Sequence, residues 1–328
     1  KVVLVPDRAG RGVDMARLAR TLVRRAGKPQ TGARFEQIPA TFTTEDAEKL
    51  KITEQVSTFF TPYTCCPDRV TNIRQAAKVL DGVIIPPNGI FSLNKELGQR
   101  TTERGFVPAG QITAGKLEDA VGGGVSQVAT TLYNAAFFAG LDIIDHTPHQ
   151  FYISRYPAGR EATVSWGGPE LIFKNDWPAS ILVKMRADTP GITVSFYSSK
   201  LGRRVETESG SRTGITAPKE IKTLNKDLEP GARVVEQSAG ASGFTISYTR
   251  KVFRGDELIK DEDYGWRYSP QNAFVEVGPK KKKKKKPAEE ESGDTDPDAP
   301  SDEQGGAGTP PAEGSDPPAE MPPDTPPP

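Results

Sequence analysis

The sequence predicts an α+β protein: a central mixed α+β domain, then a small elongated all-β module, then a disordered tail. Three observations predict this. Residues 55–199 alternate short strand patterns with two helix patterns, and residues 216–278 are strand-rich without helical periodicity. The last 42 residues are rich in Pro and acidic side chains and have no aromatic residue.

Residues 1–53 form the first region. A short apolar strand is predicted at Lys1–Val5, and apolar side chains at helical spacing predict a helix at Asp14–Ala26 that stops at Gly27. A second helix is predicted at Thr44–Leu50, with Thr44 as its cap. This region reads as the end of an α/β domain whose beginning is absent.

Residues 54–200 form the central domain. It has two predicted helices, Asn72–Leu80 and Val125–Ala139. The second follows three consecutive glycines and ends at Gly140, and its apolar residues recur at helical spacing. Between the helices, the Pro-Pro-Asn-Gly sequence at 86–89 is a turn signal after a short strand.

Strand patterns complete the central domain. Phe151–Tyr156 and Glu161–Trp166 flank a Pro-Ala-Gly-Arg turn and predict a hairpin. Further strands are predicted at Leu171–Lys174, Ser180–Met185 and Gly191–Tyr197.

Residues 210–279 are predicted to be all β. Gly and Pro separate the strand patterns ARVVEQ, GFTISYTRKVF and AFVEV. An elongated antiparallel module of this kind is more often a spacer or a binder than an enzyme.

Residues 280–328 are predicted to be a lysine run and a disordered tail. From Pro287 on, the tail holds 12 of the 43 acidic residues and none of the 43 basic ones, so residues 1–286 carry a net charge of +12. The Lys280–Lys286 run is typical of a solvated linker, and it also suits attraction to an anionic membrane surface or wall polymer. No aromatic side chains are interleaved with it, so nucleic acid is not an expected partner.

Neither a membrane-spanning stretch nor a signal peptide is visible, and the chain begins at Lys1, so we expect an anchor upstream of Lys1 that is absent here. The two cysteines, Cys65 and Cys66, are adjacent. Their Cα atoms are expected about 3.8 Å apart, below the usual disulfide separation of about 4.4–6.8 Å. Three states of these cysteines stay open: two packed or free thiols, a strained bridge between them, or bonds to an absent segment.

Three segments together resemble the VanW domain, in matching order: TNIRQAAKVLDGVIIPPNGIFSLNKELG, GGGVSQVATTLYNAAFFAGL and HQFYISRYPAGREATVSW. The strand-rich region after them is similar to the glycine-patterned G-five module, and the first region is similar to the end of a peptidoglycan-binding domain. The resemblance implies an extracytoplasmic cell-envelope protein whose partner is peptidoglycan or another wall polymer. It implies vancomycin resistance by family name only, and no settled reaction.

The start of the second helix is the candidate site. The family usually has Gly-Gly-Gly-x-Cys-Gln there, whereas this chain has Ser126 at the cysteine position. A serine hydroxyl needs an adjacent base to become a nucleophile, so the catalytic candidates are Ser126 and His149. Ser126 also suits a helix N-cap. The candidate ligand-binding residues are Gly122, Gly123, Gly124, Gln127 and Tyr133.

Two other kinds of chemistry find little support. If residues 157–160 form the hairpin turn, His149 lies about 20 Å from Glu161 at ~3.3 Å per strand residue, which argues against Glu161 as the third member of a triad. His146 and His149 have no third metal ligand in view, and Thr147-Pro148 between them disfavours a helix. No metal and no cofactor are expected.

Two functions therefore remain in view. The first is a protein that binds peptidoglycan or its peptide stems and is not an enzyme. The second is a hydrolase or transpeptidase that acts on the same polymer through Ser126 and His149.

Overall fold

A computed structural model describes residues 2–26, 32–63, 67–113 and 116–280. Its helices are α1 (Met15–Arg24), α2 (Thr44–Lys49), α3 (Pro67–Leu80), α4 (Leu93–Leu97) and α5 (Val125–Phe138). Its strands are β1 (Gly10–Val13), β2 (Phe35–Ile38), β3 (Glu54–Pro62), β4 (Ile84–Ile85), β5 (Ile90–Ser92), β6 (Pro108–Thr113), β7 (Lys116–Val121), β8 (Asp142–Asp145), β9 (Ile172–Lys174), β10 (Ile181–Asp188), β11 (Gly191–Ser198), β12 (Arg203–Ser209), β13 (Thr213–Thr216), β14 (Glu220–Leu224), β15 (Arg233–Gln237), β16 (Gly243–Arg254), β17 (Glu257–Tyr268) and β18 (Ala273–Val277). The predicted α+β class is confirmed.

The described residues divide into two compact units. The first comprises residues 2–218 together with 240–271, and the second comprises residues 219–239 and 272–280. In the second unit, β18 is the central strand of a three-stranded sheet, parallel to β14 and antiparallel to β15. Val275 is its buried residue.

The core of the first unit is built on the sheet β3-β11-β10-β4. Helix α5 packs against β3 and β11, and α3 packs against β10 and against α5. Because α5 carries apolar or small residues on every side, nearly all of its side chains are buried. The antiparallel strands β10 and β11 alternate buried and more exposed residues, as expected for a sheet with one face on a core.

A second sheet in the same unit joins β12, β16 and β13, with β17 paired to the long strand β16. Arg250 of β16 is fully buried. It donates to the carbonyl oxygens of Phe137 (3.3 Å) and Leu141 (3.0 Å), at the C-terminal end of α5. The Phe137 carbonyl also accepts the amide of Gly140 (3.0 Å), so the guanidinium adds a second bond there and ties β16 to the end of α5.

Several predicted elements need correction. Residues 2–9 are not a strand, and the first strand is β1. Helix α2 is capped by Thr43, not by Thr44, through a capping box with Asp46. Helix α3 begins at Pro67, five residues earlier than predicted, because a proline is well accommodated in the first turn of a helix.

The predicted hairpin at 151–166 is wrong, because the segment contains no strand. Its backbone groups bond to other partners. The amides of Ala162 and Val164 donate to the hydroxyls of Thr130 (3.1 Å) and Ser126 (3.3 Å), both on α5, and the amide of Thr163 donates to the carbonyl of Thr147 (2.7 Å). A segment that bonds to the surface of a helix can show the same apolar alternation in its sequence as a segment that pairs with a strand.

Some predictions lie outside the described residues: Gly27 as a helix stop, the state of Cys65 and Cys66, and the lysine run and tail beyond residue 280. The predicted domain boundaries stay predictions. No helix in the described part of the chain is long and apolar enough to cross a membrane.

Candidate functional site

Helix α5 is entered through residues Gly122–Ser126, here called the α5 entrance. Gly122 and Gly124 have positive φ angles of 89° and 95°, a conformation that glycine adopts without the Cβ penalty. A Cβ atom on Gly123 would collide with the backbone carbonyl of Ala109. The turn therefore requires glycines, because it is tight and brings the backbone at Gly123 against the backbone at Ala109.

Ser126 is the second residue of α5, and the N-cap is Gly124, which makes no side-chain cap bond. The interpretation of Ser126 as the N-cap is therefore wrong. Its Oγ instead accepts the amide of Val164 (3.3 Å), and the side chain is half-buried. This bond holds the segment after Glu161 against the start of the helix.

Two candidate ligand-binding side chains are used inside the core. Gln127 is fully buried, and its Nε2 donates to the Thr61 hydroxyl (2.9 Å) and to the Pro62 carbonyl (2.9 Å) at the end of β3. Tyr133 is also fully buried, and its hydroxyl pairs with that of Tyr248 (3.1 Å). Both side chains tie α5 to its neighbours, and Oε1 of Gln127 is buried without a partner among the described residues, so their role in ligand binding stays a prediction.

Arg69, in the first turn of α3, lies over the α5 entrance. Its aliphatic stem passes next to Gly124, at a position that a Cβ on that glycine would occupy. Its guanidinium bonds to the hydroxyl of Tyr156, and Nη1 is buried with no hydrogen-bond partner among the described residues. Burial lowers the pKa of Arg69, the neighbouring Arg155 lowers it further, and Tyr156 opposes both.

His149 and Arg69 both contact Tyr156. The imidazole stacks on the ring of Tyr156, with centroids 5.7 Å apart. Its Nδ1 hydrogen-bonds to Glu161 Oε2, and Glu161 Oε1 accepts the hydroxyl of Tyr268 (2.7 Å). The prediction that Glu161 lies about 20 Å away is wrong, because it rested on the hairpin that does not form.

The network around Glu161 is buried and closed. The hydroxyl of Tyr268 accepts the amide of Gly159 (2.7 Å) while it donates to Glu161, and Trp266 Nε1 donates to the His149 carbonyl (2.9 Å). The hydrogen bond at Nδ1 fixes the orientation of the ring and leaves Nε2 as its other polar atom. In the described part of the chain, Nε2 has no hydrogen-bond partner.

Among the described residues, no hydrogen bond joins Ser126 to His149. They are linked only indirectly, through Gly124, Arg69 and Tyr156. The geometry therefore provides an oriented imidazole and a half-buried hydroxyl with no hydrogen bond between them in the described part of the chain, and the catalytic pair stays a prediction.

His146 has a different environment. Its ring stacks on Tyr133 with centroids 4.2 Å apart, and burial, followed by the charge of Arg250, lowers its pKa to about 4. It is therefore neutral at pH 7. Within the described ranges, no group of three or more His, Cys, Asp or Glu side chains could hold a metal ion.

Sequence reasoning missed Arg69 and Tyr156 and rejected Glu161. The sequence does carry one signal for Glu161, which is the one acidic residue between Asp145 and Glu170. Arg69 gives no such signal, because it lies before the predicted helix Asn72–Leu80, outside any predicted element.

Part of this chain matches a known protein family. The family model described as VanW like protein matches residues 68–197, so the chain contains a VanW-like domain that includes α3, α5 and the His149–Glu161 pair. This confirms the resemblance inferred from the three sequence segments.

Two curated relatives are similar to part of the chain. The uncharacterized protein YoaR of Bacillus subtilis (strain 168) is 37% identical over 148 residues, which cover 45% of this chain and 49% of the relative. The vancomycin B-type resistance protein VanW of Enterococcus faecalis (strain ATCC 700802 / V583) is 25% identical over 140 residues, which cover 40% of this chain and 50% of the relative. The chain thus spans about half the length of the curated relatives it matches.

Two solved structures are also similar to part of the chain. The IgA1 protease G5 domain is 25% identical, with a TM-score of 0.16, and the match covers 24% of this chain and 89% of that one. HP0197-G5 is 13% identical, with a TM-score of 0.13, and the match covers 23% of this chain and 92% of that one.

Proposed function

We propose that this protein is an extracytoplasmic, cell-wall-associated protein that binds peptidoglycan or its peptide stems at the α5 entrance. The single observation that carries the proposal is Arg69, whose buried Nη1 has no partner in the described part of the chain and whose side chain lies over the start of α5. The VanW-like domain and the VanW relative support the wall setting.

The chemistry of the α5 entrance suits a carboxylate. The helix dipole favours a negative group at this end, and an arginine beside it adds charge-assisted hydrogen bonds. Arg155 lies near the same tyrosine, with its guanidinium 5.8 Å from the ring centroid of Tyr156, and makes the neighbourhood more positive. Peptide stems of the wall polymer carry carboxylates, so they are a fitting ligand class.

One observation favours an enzyme as the second candidate. An imidazole whose Nδ1 bonds to a buried carboxylate is oriented to act as a general base through Nε2. Since Ser126 has no hydrogen bond to His149, such an enzyme would activate water at His149, as a hydrolase, or the attacking amine of a second peptide stem, as a transpeptidase.

One experiment separates the two candidates. The full chain and its Ser126→Ala and His149→Gln variants are incubated with purified peptidoglycan, and both sedimented protein and released soluble fragments are measured. The binding proposal expects sedimentation of all three proteins without new fragments. Fragment release that is lost in His149→Gln would replace it with the enzyme, and failure of the native chain to sediment would overturn the binding proposal.

A further inference from the structure

A cavity of about 540 Å³ lies in the first unit, remote in sequence from the α5 entrance. Its walls combine apolar and charged side chains: Pro87, Trp177, Pro178 and Leu201, with Asp176 and Arg254. Trp177 is held in place by a hydrogen bond from its Nε1 to the Gly140 carbonyl (3.3 Å). A concave, mainly apolar surface with a few charged groups is the usual form of a small-molecule site.

Arg203, the first residue of β12, packs against Trp177, which lines this cavity, and is not itself a lining residue. Its guanidinium carbon lies 3.9 Å from the ring centroid of Trp177, and the residue is only 4% exposed. None of its three guanidinium nitrogens has a hydrogen-bond partner among the described residues. A buried charged donor is normally paired, so this side chain has hydrogen-bonding capacity that the fold does not use.

Arg203 remains a cation at neutral pH. Burial lowers its pKa to about 10, and the negative charge of Asp176 works against that decrease. No ion pair joins the two side chains in the described structure, because Asp176 Oδ2 is paired with Lys260 Nζ (2.7 Å). The other carboxylate oxygen, Oδ1, is buried without a partner among the residues described.

A second arginine faces the same ring. Arg254 is the cross-strand partner of Arg203 on β16, and its guanidinium lies 5.3 Å from the Trp177 ring centroid. Unlike Arg203, it is exposed and lines the cavity directly. Three cations, Arg203, Arg254 and Lys260, therefore surround one carboxylate, and the site has an excess of positive charge.

We propose that this cavity is a second ligand site, separate from the α5 entrance, that binds a small zwitterion such as an amino acid or the end of a peptide. The ligand carboxylate is met by Arg254 and the ligand ammonium by the carboxylate of Asp176, the two charged residues of the lining, while the buried cation Arg203 behind Trp177 adds to the positive potential. The apolar wall around Trp177 receives the side chain.

The lining carries one charge of each sign, from Arg254 and Asp176. A simple anion would pair with Arg254 but would lie close to the like charge of Asp176. A ligand with a carboxylate and an ammonium pairs with both residues at once, and such paired satisfaction is what makes polar sites selective.

The test uses the full chain labelled with ¹⁵N at its three tryptophans, Trp166, Trp177 and Trp266, with the Trp177 indole signal assigned from Trp177→Phe. Alanyl-alanine, its C-terminal amide, its N-acetyl form and inorganic phosphate are titrated in turn. We expect a saturable shift of the Trp177 signal with alanyl-alanine. The amide and the N-acetyl form each lack one charge and should bind roughly ten-fold or more weakly.

Variants then test the individual residues. Arg254→Met and Arg203→Met should each weaken alanyl-alanine binding, whereas Asp176→Asn should weaken alanyl-alanine but not its N-acetyl form. Arg204→Met is the matched control, since this exposed neighbour on β12 contacts Phe253 and Glu206 instead. It should bind as the native chain does.

Three results would overturn the proposal: no shift at Trp177 with alanyl-alanine, equal binding of phosphate and alanyl-alanine, or unchanged binding in both arginine variants. If Arg203→Met fails to fold, the exposed Arg254 and the half-buried Asp176 still decide the outcome through their own variants.

Discussion

His149 Nδ1 hydrogen-bonds to Glu161 Oε2, twelve positions further along the chain, and no strand forms between them. The pair is buried, and its second carboxylate oxygen is completed by Tyr268 (2.7 Å). A buried carboxylate with two partners is stable only while both remain, because an orphaned charge in the interior is costly.

This arrangement predicts the effect of Tyr268→Phe. The change removes the donor to Glu161 and the acceptor of the Gly159 amide, so the free energy of unfolding should fall by about 2 kcal/mol. Denaturant unfolding measures it. Tyr197→Phe is the control, because Tyr197 makes no side-chain hydrogen bond in the described structure and should change little. Equal stability of the two variants would show that the Glu161 network contributes nothing.

His146 predicts a pH dependence. Its folded pKa of about 4 lies below the unfolded value of about 6.5, so the unfolded chain binds more protons between these pH values. The stabilisation is present above pH 6.5 and is lost progressively as the pH falls through 4, by up to about 3 kcal/mol. Unfolding at pH 7 and pH 4.5 should therefore differ less in His146→Phe than in the native chain. An identical difference would contradict the depressed pKa.

Gly123 predicts a severe effect at the α5 entrance. A Cβ atom there would overlap the Ala109 carbonyl, and backbone atoms cannot move aside as a flexible side chain can. Gly123→Ala should lower the free energy of unfolding by about 3 kcal/mol or prevent folding. Gly265→Ala is the matched control in an uncrowded strand position, and it should be tolerated. A stable Gly123→Ala variant would mean that the turn is looser than the structure shows.

Two of the buried arginines, Arg250 and Arg203, predict losses of different size. Arg250 pairs with Glu262 (2.6 Å) and donates to two carbonyls at the end of α5, so Arg250→Met should cost about 3 kcal/mol. Arg203 makes no hydrogen bond among the described residues, so Arg203→Met should change stability by less than about 1 kcal/mol. Thermal unfolding compares them directly. A larger loss in Arg203→Met than in Arg250→Met would contradict the assigned roles.

Much of the fold could be predicted from local signals. Helix α5 was predicted within one residue, because three glycines, a run of helical periodicity and Gly140 all point to the same boundaries. The structure of residues 151–166 could not be predicted in this way, because their amides bond to hydroxyls on α5. Their apolar alternation therefore resembles that of a strand. The local sequence pattern does not show whether such a segment bonds to the surface of a helix or to a neighbouring strand.

The site was only partly predictable for the same reason. The α5 entrance and His149 stand out in sequence, but the relations that matter there are tertiary. Arg69 reaches Gly124 from α3, and Glu161 reaches His149 only because the hairpin is absent. Gln127 and Tyr133 looked like pocket residues because they are polar, whereas packing uses both inside the core.

The central claim is that Arg69 at the α5 entrance binds the wall polymer, and the most direct measurement compares Arg69→Met with Arg74→Met. Arg74 lies on the same helix but is exposed, so its variant makes the same change of charge away from the entrance. Sedimentation of each full chain with increasing peptidoglycan gives the two affinities. The account predicts that Arg69→Met binds roughly ten-fold or more weakly and that Arg74→Met binds as the native chain does. Equal affinities of the two variants would contradict it.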